Sequence, residues 1–456
     1  MMLLFILLSY TVPLDSPIME NIEYLQLRGF FDVPSLRPHD AQWIISQLDD
    51  LLIKETTVND IDRRIISYFS PLLTKNPSSS YLLHVAGAYQ SEPEIYGGIL
   101  DGRIGGRIIP RVEYAHGTRF SRANELDSLG PKPWNDFQVY LDEGLIRLDF
   151  DRIMFDFGRR NFLLGPGDTH SLLFSPGHQS YDGFSLQVPG RYFEFSGIFS
   201  VLDATESRFV SIHRLGLNLK RFLKIGFSEA ILFSGSLEPM YLNFFLPYYL
   251  AQWGSDRNEI IDDNVMWSFD FQLQLFNSIL YAELLIDDYM YEDDPYPDKL
   301  AYQVGLKSLV WQTLIAKINY TSVDKWVYTH ETALNVYERR GRCLGFPLGN
   351  DVDQVSFSLR YENKYGVRPH LTIDYSRKGE GSVYVPYEDE GGSINPPFPS
   401  GVVERTLQIK CGIDYTYKTR FHIKSNIGQL YKYNEGHNTN NDRDELLFSM
   451  GLWVIL

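Results

Sequence analysis

Cysteine and positive charge are both scarce in this sequence, and each shortage excludes a class of protein. The 456 residues include two cysteines, Cys343 and Cys411, whose spacing fits neither a zinc site nor a Cys-x-x-Cys pair. We interpret them as incidental thiols, with a single bridge as the alternative in an exported protein. Lys and Arg number 42 against 58 Asp and Glu, and the formal net charge is −16. Because no basic excess exists to neutralise phosphates, nucleic acid is not an expected partner.

Long apolar runs are missing as well. After the stretch from Leu3 to Val12, no run of about 18 apolar residues follows that would make a transmembrane helix. That first stretch is similar to the apolar part of a secretory signal but lacks a basic start, and we assign residues 1–16 to a possible signal segment. Such a chain can still cross a membrane as a closed barrel, because closure satisfies every strand's backbone hydrogen bonds in lipid.

Aromatic residues, in contrast, are abundant. They make up 14% of the chain, with 30 Tyr and 29 Phe. A large membrane barrel uses such residues as lipid-facing side chains and as Tyr and Trp girdles at the two water interfaces. An aromatic-rich soluble β-sandwich would show the same excess, so composition alone leaves both folds open.

Helical periodicity is confined to the N-terminal part. Asn21–Phe30 predicts a short helix ending at Gly29, and Pro38 opens a second helix whose apolar residues recur from Ala41 to Leu52. A third is predicted from about Val58 to Leu73. Each is amphipathic and too short to be stable alone, so we expect residues 17–78 to form a small bundle on the periplasmic side.

From Tyr81 onward, segments of about ten residues alternate polar and apolar, and turn residues separate most of them. Read backwards from the last strand, the connections alternate between short and long, provided that Thr313–Thr332 is one long strand. This sorting is typical of outer-membrane barrels and gives about 16–18 strands. The predicted fold is therefore mainly β: a transmembrane antiparallel β-barrel over residues 79–456 behind the helical bundle. The hairpins and the last strand that carry the prediction are Phe209–Leu219 with Leu223–Phe233, Val265–Phe276 with Ser278–Tyr289, Val355–Glu362 with Arg368–Tyr375, Leu407–Tyr415 with Thr419–Leu430, and Leu446–Leu456.

Four segments, in order along the chain, resemble the Wzi-type capsule assembly proteins of the bacterial outer membrane. They are Tyr24–Phe31 with the following SLRPHD (Ser35–Asp40), FGRRNFLLGPGDTHSLLFS (Phe157–Ser175), AELLIDDYM (Ala282–Met290) and RCLGFPLGND (Arg342–Asp351). After Ser175 the family usually continues with an Asn-rich phrase that contains Pro, whereas this chain reads PGHQSYDGFS (Pro176–Ser185). If that phrase takes part in polysaccharide handling, the ligand here differs.

The resemblance implies an outer-membrane barrel that acts as a non-enzymatic, lectin-like anchor for capsular or exopolysaccharide, with a helical bundle on the periplasmic side. We expect outer-membrane lipid and lipopolysaccharide as further partners, a monomer, and neither cofactor nor metal. Two other functions stay open. One is a porin or solute channel, and the other, with the least support, is an outer-membrane enzyme.

The family-like block at residues 165–171 has two interpretations. Asp168, His170 and Ser171 lie within four positions, but neighbours along a strand or turn point apart, and a catalytic triad is defined by geometry. The favoured interpretation is a tight loop shaped by its glycines and proline, placed by the loop count on the periplasmic side or folded into the lumen, where it would meet the bundle. The residues of this candidate loop are Gly165, Pro166, Gly167, Asp168, His170 and Ser171.

Charged residues suggest two further features. The acidic run Asp287–Asp298 matches no calcium loop and is interpreted as a solvated outer loop, with divalent bridging to lipopolysaccharide or capsule as the alternative. Several arginines are expected to face the lumen and pair with acids such as Asp149 and Asp156, the alternative being an anion-binding lumen. These arginines are Arg103, Arg107, Arg111, Arg147, Arg152, Arg159 and Arg160.

Carbohydrate recognition needs flat rings for sugar faces and amides or carboxylates for hydroxyl groups. Two long loops offer both, although girdle aromatics look the same in sequence. The candidates are Tyr248, Tyr249, Trp253, Asp256 and Asn258 in one loop, and Tyr384, Tyr387, Glu388, Asn395 and Phe398 in the other.

Overall fold

The structure is a computed structural model of the chain. It describes residues 14, 16–39, 41–53, 58–69, 81–92, 95–109, 111–121, 138–150, 153–177, 179–219, 222–253, 263–288, 296–417 and 421–455. The predicted signal stretch from Leu3 to Val12 lies outside these residues and stays a prediction. Within the described ranges, every helix is too short or too polar to cross a bilayer.

The three predicted N-terminal helices are present as α1 (Pro17–Leu27), α2 (Ala41–Ile53) and α3 (Asp60–Ser67). Helix α1 begins after Ser16, whose hydroxyl accepts a hydrogen bond from the Ile18 N–H, and Pro17 suits the first helical position. Helix α3 begins with a capping box in which Asn59 and Asp62 bond each other's backbone N–H groups. It ends at Ser67 and not at Leu73 as predicted.

In the described part of the chain, eighteen barrel strands follow the helices. They are β1 (Tyr81–Glu92), β2 (Ile95–Ile109), β3 (Val112–Ser121), β4 (Gln138–Asp149), β5 (Met154–Arg160), β6 (Tyr181–Val188), β7 (Phe193–Asp203), β8 (Arg208–Leu219), β9 (Leu223–Ser234), β10 (Asn264–Leu275), β11 (Ser278–Asp288), β12 (Lys299–Val310), β13 (Leu314–Val323), β14 (Val352–Tyr361), β15 (Val367–Lys378), β16 (Glu404–Tyr417), β17 (Phe421–Tyr433) and β18 (Arg443–Ile455).

Each strand pairs antiparallel with its neighbours in the chain, and β18 pairs with β1 in a register that places Trp453 opposite Ala86. The sheet therefore closes into a barrel of eighteen strands. The predicted fold class, an antiparallel barrel of about 16–18 strands with N-terminal helices, is confirmed.

The two faces of the wall differ as a membrane barrel requires. In β9 the side chains of Ile225 and Phe227 point outward and are exposed, whereas Lys224, Gly226 and Ser228 point inward and are buried. This alternation with a period of two puts apolar groups toward lipid and polar groups toward the lumen. Many inward charges are paired, as Arg214 is with Glu194 and Asp270, and Glu283 is held by hydrogen bonds, so the lumen contains a network of both kinds of contact.

The connections sort by length to the two ends of the barrel. The four longest follow the odd-numbered strands β5, β9, β13 and β15, so they lie at one end, which we call the long-loop end. The connections after β8, β10, β12, β14 and β16 are short and lie at the short-turn end. One sequence assumption was wrong: β13 ends at Val323, and residues 324–332 belong to the long connection that follows it. The alternation of long and short connections is unaffected.

The helices pack inside the barrel at its short-turn end. Ile22 and Leu25 of α1 share an apolar cluster with Ile44 of α2, Ile65 of α3 and the wall residue Leu309. This packing gives three short helices the buried surface that none has alone.

The same end is fixed by polar contacts to two turns. The Tyr24 hydroxyl donates to the Gln312 carbonyl at 3.4 Å, and the Arg64 guanidinium pairs with Glu362 at 2.9 Å. Higher in the lumen, a second cluster joins the wall to the connections 161–180 and 324–351 through Phe174, Leu172 and Tyr328.

Candidate functional site

The family-like loop belongs to the connection 161–180, which starts at the long-loop end and folds down into the lumen. Two residues of this connection, Leu163 and Leu164, pair antiparallel with Arg37 and Leu36 of the segment after α1. The Gly165 N–H continues the pairing by donating to the Ser35 carbonyl at 3.0 Å. The loop therefore meets the N-terminal segment inside the lumen. Of the two predicted placements, the lumen is the one observed, and the periplasmic side is not.

Arg37 holds the turn of this loop. Its buried guanidinium donates to the carbonyl oxygens of Gly165, at 2.8 Å, and of Gly167. Gly165 has a φ of +107°, and a Cβ on Gly167 would collide with the His170 carbonyl, so both positions require glycine. The interpretation of the Gly-Pro-Gly block as a tight, shaped loop agrees with this geometry.

Asp168 is the charged tip of the loop. Its carboxylate binds the ammonium groups of Lys307 and Lys317, the latter at 3.1 Å, and Lys317 also pairs with Glu23 of α1 at 2.6 Å. Burial by itself would raise the pKa of Asp168, but Lys307, Lys317 and Arg37 outweigh it and hold the pKa well below its usual range. The loop, the wall and α1 are therefore joined by one set of ion pairs.

His170 and Ser171 point to other strands. The His170 Nε2 lies 3.1 Å from the Thr321 hydroxyl, and burial lowers the pKa of His170 to about 4. The Ser171 hydroxyl donates to the Glu283 carboxylate at 2.8 Å, and that carboxylate also accepts the Leu172 N–H. Asp168, His170 and Ser171 each have a separate partner, so these three side chains do not form a catalytic triad.

A cavity of about 400 Å³ lies beside this junction in the lumen, between the segment after α1 and the loop. Its charged lining is balanced, with Glu20, Glu23 and Asp270 near Arg37, Lys224 and Lys307. Most of these groups are already in ion pairs with one another or with the wall.

Arg103, Arg147 and Arg160 face the lumen and are paired with acids, as predicted. Arg147 binds Asp156 through two hydrogen bonds of 2.6 and 2.8 Å, and Arg103 pairs with Asp142 at 2.9 Å. Arg159 does not face the lumen as predicted: it lies on the outward face of β5 with Phe157 and pairs there with Asp182 at 2.5 Å. Arg111 is exposed in the turn before β3. The predicted partner Asp156 is thus confirmed, and Arg152 lies outside the described residues.

The acidic run contributes mainly internal contacts. Asp287 is buried and accepts the Tyr328 N–H at 2.6 Å, while Asp288 pairs with Lys299 at 2.8 Å. Residues 289–295 of the run are outside the described part. Among the residues that are described, no three or more His, Cys, Asp or Glu side chains are grouped so as to hold a metal ion. Cys343 is buried and Cys411 is exposed, and both are free thiols.

The first predicted glycan loop, within the connection 235–263, is folded against the outside of the wall. It contains the short helix α4 (Tyr248–Trp253). The Tyr248 ring is completely buried there, with its hydroxyl 2.8 Å from that of Ser211, and so cannot present a face to a sugar as predicted. Tyr249 is 42% exposed. Asp256, Asn258 and the side chain of Trp253 lie outside what the structure describes.

The second predicted glycan loop, 379–403, stays at the long-loop surface and contains α5 (Tyr387–Glu390). Tyr384 is 56% and Phe398 39% exposed. The Tyr387 ring meets Trp326 edge-on at 5.1 Å and Tyr296 at 5.8 Å. The structure therefore gathers rings from three connections. We call the set Tyr296, Trp326, Tyr384, Tyr387 and Phe398 the aromatic platform.

Two platform residues, Tyr296 and Trp326, were missed from sequence. Trp326 was assigned to a strand because residues 313–332 were taken as one, and its neighbour Lys325 was overlooked for the same reason. In the structure the Trp326 Nε1–H donates to Glu390 at 3.2 Å, and Lys325 pairs with the same carboxylate at 2.6 Å. The sequence feature that could have located this site is an aromatic residue and a basic residue, Trp326 and Lys325, shortly after the end of a strand.

Comparisons with known proteins agree with the geometry. The sequence model of the family described as capsule assembly protein Wzi matches residues 61–445. Wzi of Escherichia coli, described as an outer-membrane protein involved in group 1 capsule assembly and a carbohydrate-binding β-barrel, shares the fold with a TM-score of 0.69. That similarity covers 98% of this chain and 99% of that chain at 15% sequence identity.

Two more distant solved structures were also found. OprD of Pseudomonas aeruginosa has a TM-score of 0.48 at 10% identity, over 83% of this chain and 95% of that chain. OccAB1 of Acinetobacter baumannii has a TM-score of 0.48 at 8% identity, over 83% and 96%. A search of curated protein sequences finds no match.

The family match spans most of the chain, including all of α3 except its first residue and seventeen complete strands. It confirms the resemblance that the four ordered segments indicated. The closed barrel, with apolar groups outside and ion pairs inside, is that of a bacterial outer-membrane protein. The chain belongs to the Wzi family of capsule assembly proteins.

Proposed function

We propose that this capsule assembly protein binds capsular or exopolysaccharide at its long-loop end, through the aromatic platform, and retains it at the cell surface without catalysis. The observation that carries the proposal is that three rings of the platform, Tyr296, Tyr384 and Phe398, are 39–56% exposed at the end that also exposes the acids of α5. The buried Trp326 supports the partly exposed Tyr387 from below. Tyr384 is more than half exposed, and its hydroxyl donates to Glu338 at 3.2 Å. Rings of this kind pack on sugar faces, while the carboxylates accept hydroxyl hydrogens.

The platform is also held in place. Glu390 accepts from Trp326 and pairs with Lys325, so α5 is tied to the connection that follows β13. The Tyr387 ring between Tyr296 and Trp326 links a third connection. Because its side chains are already positioned, the platform would lose little conformational entropy on binding a polysaccharide.

The lumen is filled by protein, which supports polysaccharide binding over the function of a solute channel. Helix α1 occupies it at the short-turn end, with Glu20 and Glu23 bound to Arg360 and Arg368. The connection 161–180 fills it from above. We further propose that residues 17–78 face the periplasm, since short turns lie on that side in outer-membrane barrels. Contact with lipopolysaccharide and a monomeric state stay predictions.

Capsule retention in a deletion strain tests the proposal. The strain is complemented with the wild-type chain, with a Tyr384→Ala, Tyr387→Ala double variant, or with Tyr365→Ala. Tyr365 is a matched control because its ring is 72% exposed in the turn between β14 and β15, at the opposite end of the barrel.

We expect the double variant to release polysaccharide into the medium and the Tyr365→Ala variant to retain it. Heat-modifiable electrophoretic mobility verifies that each variant is a folded barrel. Purified protein titrated with the extracted polysaccharide should show the same order of affinities. Equal retention and equal affinity in the two variants would refute a binding site on the platform.

A further inference from the structure

A carboxylate faces outward on the membrane-facing wall. Glu229 is odd-numbered in β9, like the lipid-facing Ile225 and Phe227, and lies about midway along the strand. In register beside it are His213 of β8 and Trp267 of β10, which also point outward. A carboxylate at this level would be costly in contact with acyl chains.

The carboxylate is instead fully covered and fully bonded. Its oxygens accept the backbone N–H groups of Tyr248 and Tyr249 at 2.6 and 2.8 Å and the Trp267 Nε1–H at 3.0 Å. The His213 Nε2 lies at 3.3 Å. The cover is the part of the β9–β10 connection that runs from 236 to 253, which we call the outer-wall segment.

Apolar packing attaches the rest of the outer-wall segment to the wall. Phe244 covers Gly197 so closely that a Cβ there would collide with its ring. Phe244, Tyr241 and Tyr248 form one cluster with the outward residues Phe199 and Phe233. This cluster is separate from both luminal clusters, so the segment lies outside the barrel.

The depth of the segment follows from strand geometry. On β8, the outward residues below the covered patch run from Leu215, which is 53% exposed, to Leu219, which is 46% exposed. At a tilt of about 45°, these residues span about 10 Å along the membrane normal. The apolar band of such barrels is about 25 Å tall. The band must therefore continue upward over the outer-wall segment itself.

The side of the outer-wall segment that faces away from the barrel carries apolar side chains, as contact with lipid requires. Phe245 is 73% and Leu250 65% exposed. The Phe245 ring stacks at 4.9 Å on Phe195, an outward residue of β7 two positions above the 62% exposed Phe193. The exposed face of the segment is thus continuous with the bilayer-facing wall.

We infer that the outer-wall segment is embedded in the outer leaflet, with Phe245 and Leu250 against lipid acyl chains and Glu229 as the polar anchor that holds it to the barrel. The connection 235–263 is then a membrane contact and not a glycan-binding arm, at least over residues 236–253. The occupant of its outer face is the acyl-chain region of a lipid surface. This inference does not depend on the proposed polysaccharide site.

Spin labelling in vesicles of phospholipid and lipopolysaccharide tests the depth. A nitroxide is attached to a Leu250→Cys variant in a Cys411→Ser background, with the buried Cys343 retained. Collision with oxygen, which concentrates in the bilayer, is compared with collision with a water-soluble nickel chelate. Ile427→Cys on the outward face of β17 is the lipid reference, since Ile427 is 55% exposed, and Ser393→Cys in the connection 379–403 is the water reference.

We expect the label at position 250 to match the Ile427 reference, with high oxygen and low nickel collision. A nickel collision rate equal to that at position 393 would overturn the inference. Low collision with both reagents, together with a dimer in chemical cross-linking, would show that a second copy covers the face and would also overturn it.

The anchor is tested with Glu229→Gln in the same labelled background. The amide keeps the shape of the side chain but loses the negative charge that accepts from Tyr248, Tyr249 and Trp267. We expect the label at position 250 to shift toward nickel accessibility, while the control Glu388→Gln leaves it unchanged. Heat-modifiable mobility confirms that both variants are folded barrels. No shift with Glu229→Gln would refute its role as anchor.

Discussion

The connections 161–180 and 379–403 leave the same end of the barrel, yet they have opposite environments. The first folds into the lumen, and its acidic tip, Asp168, is bound to two lysines of the wall. The second stays at the surface, where Tyr384 and the acids Glu388 and Asp389 are exposed. The charged groups of the first connection therefore stabilise the fold inside the lumen. Those of the second connection are exposed and can contact a ligand.

The difference lies in the partners that each loop finds. Lys307 and Lys317 stand on adjacent strands, β12 and β13, opposite each other in register. Without Asp168, the buried Lys307 would lose its acidic partner and Lys317 would keep only Glu23, so the loop and the wall stabilise one another. Among its described contacts, the connection 379–403 meets a buried carboxylate and not a pair of like charges: Gly381 and Ser400 donate to Asp351. Its own Glu390 binds Lys325 and Trp326 at the surface.

The largest expected effect comes from removing the luminal charge. Asp168→Asn leaves the buried Lys307 beside a neutral amide, while the partly buried Lys317 keeps Glu23 as a partner. Breaking a buried ion pair costs about 3–5 kcal/mol, and we expect the lower end of that range here. We expect the temperature at which the folded band disappears on unboiled gels to fall. The affinity of the remaining folded protein for polysaccharide should not change.

Asp60→Asn is the matched control for this substitution. Asp60 pairs with Arg63 at 3.1 Å, but both side chains are about two-thirds exposed, at 65% and 67%. Loss of an exposed pair costs about 0–1 kcal/mol. If both variants lost the same stability, the contrast between the lumen and the surface would fail.

A pH-dependent effect should come next in size. Burial lowers the pKa of His170 to about 4 from the ordinary 6.5, so between these values the folded protein binds fewer protons than the unfolded chain. The contribution of neutral His170 is complete above pH 6.5 and is lost as the pH falls through 4. From the difference in pKa it amounts to about 3 kcal/mol.

Unfolding by denaturant at pH 7.5, 5.5 and 4 measures this effect. His170→Gln should remove most of the decline between pH 6.5 and 4, since the amide does not titrate. An unchanged decline in that variant would show that other groups, and not the histidine of the luminal loop, cause it.

The smallest expected effect on stability is at the surface. Tyr384→Ala removes an exposed ring and one hydrogen bond to Glu338, and should change stability by less than about 1 kcal/mol. Its affinity for polysaccharide should fall by up to about tenfold, since such ring contacts are worth about 0.5–1.5 kcal/mol. Titration with polysaccharide and denaturant unfolding of the same sample separate the two. A large loss of stability without loss of affinity would reverse the comparison.

Local patterns were sufficient to predict the barrel. Alternation with a period of two assigns each side chain to one face, and it predicted the hairpin of β8 and β9 to within one residue at either end. Apolar spacing, with Gly29 and Pro38 as boundary residues, located three helices. The end of β13 was predicted too late because Trp326, Val327 and Tyr328 are residues that favour a strand, although the chain has already left the sheet at Val323.

The candidate sites depended on contacts that are remote in the sequence. Asp168 and Lys317 are 149 positions apart, and Trp326 and Glu390 are 64 apart. Tyr248 and Tyr384 look alike as loop tyrosines, yet one is buried against the outer wall and the other is exposed. Nothing within a few residues of either tyrosine distinguishes them.

The sequence by itself determined the wall, the helices and the sorting of loop lengths, because these follow from repeating local patterns that lipid and water impose on every strand. Only the tertiary structure decided where each long connection goes: 161–180 into the lumen, 236–253 onto the outer wall, and 379–403 to the surface. Those choices depend on which buried charge a loop can satisfy, Lys307 with Lys317 in one case and Glu229 in another. The charge and its partner meet only when the barrel has closed.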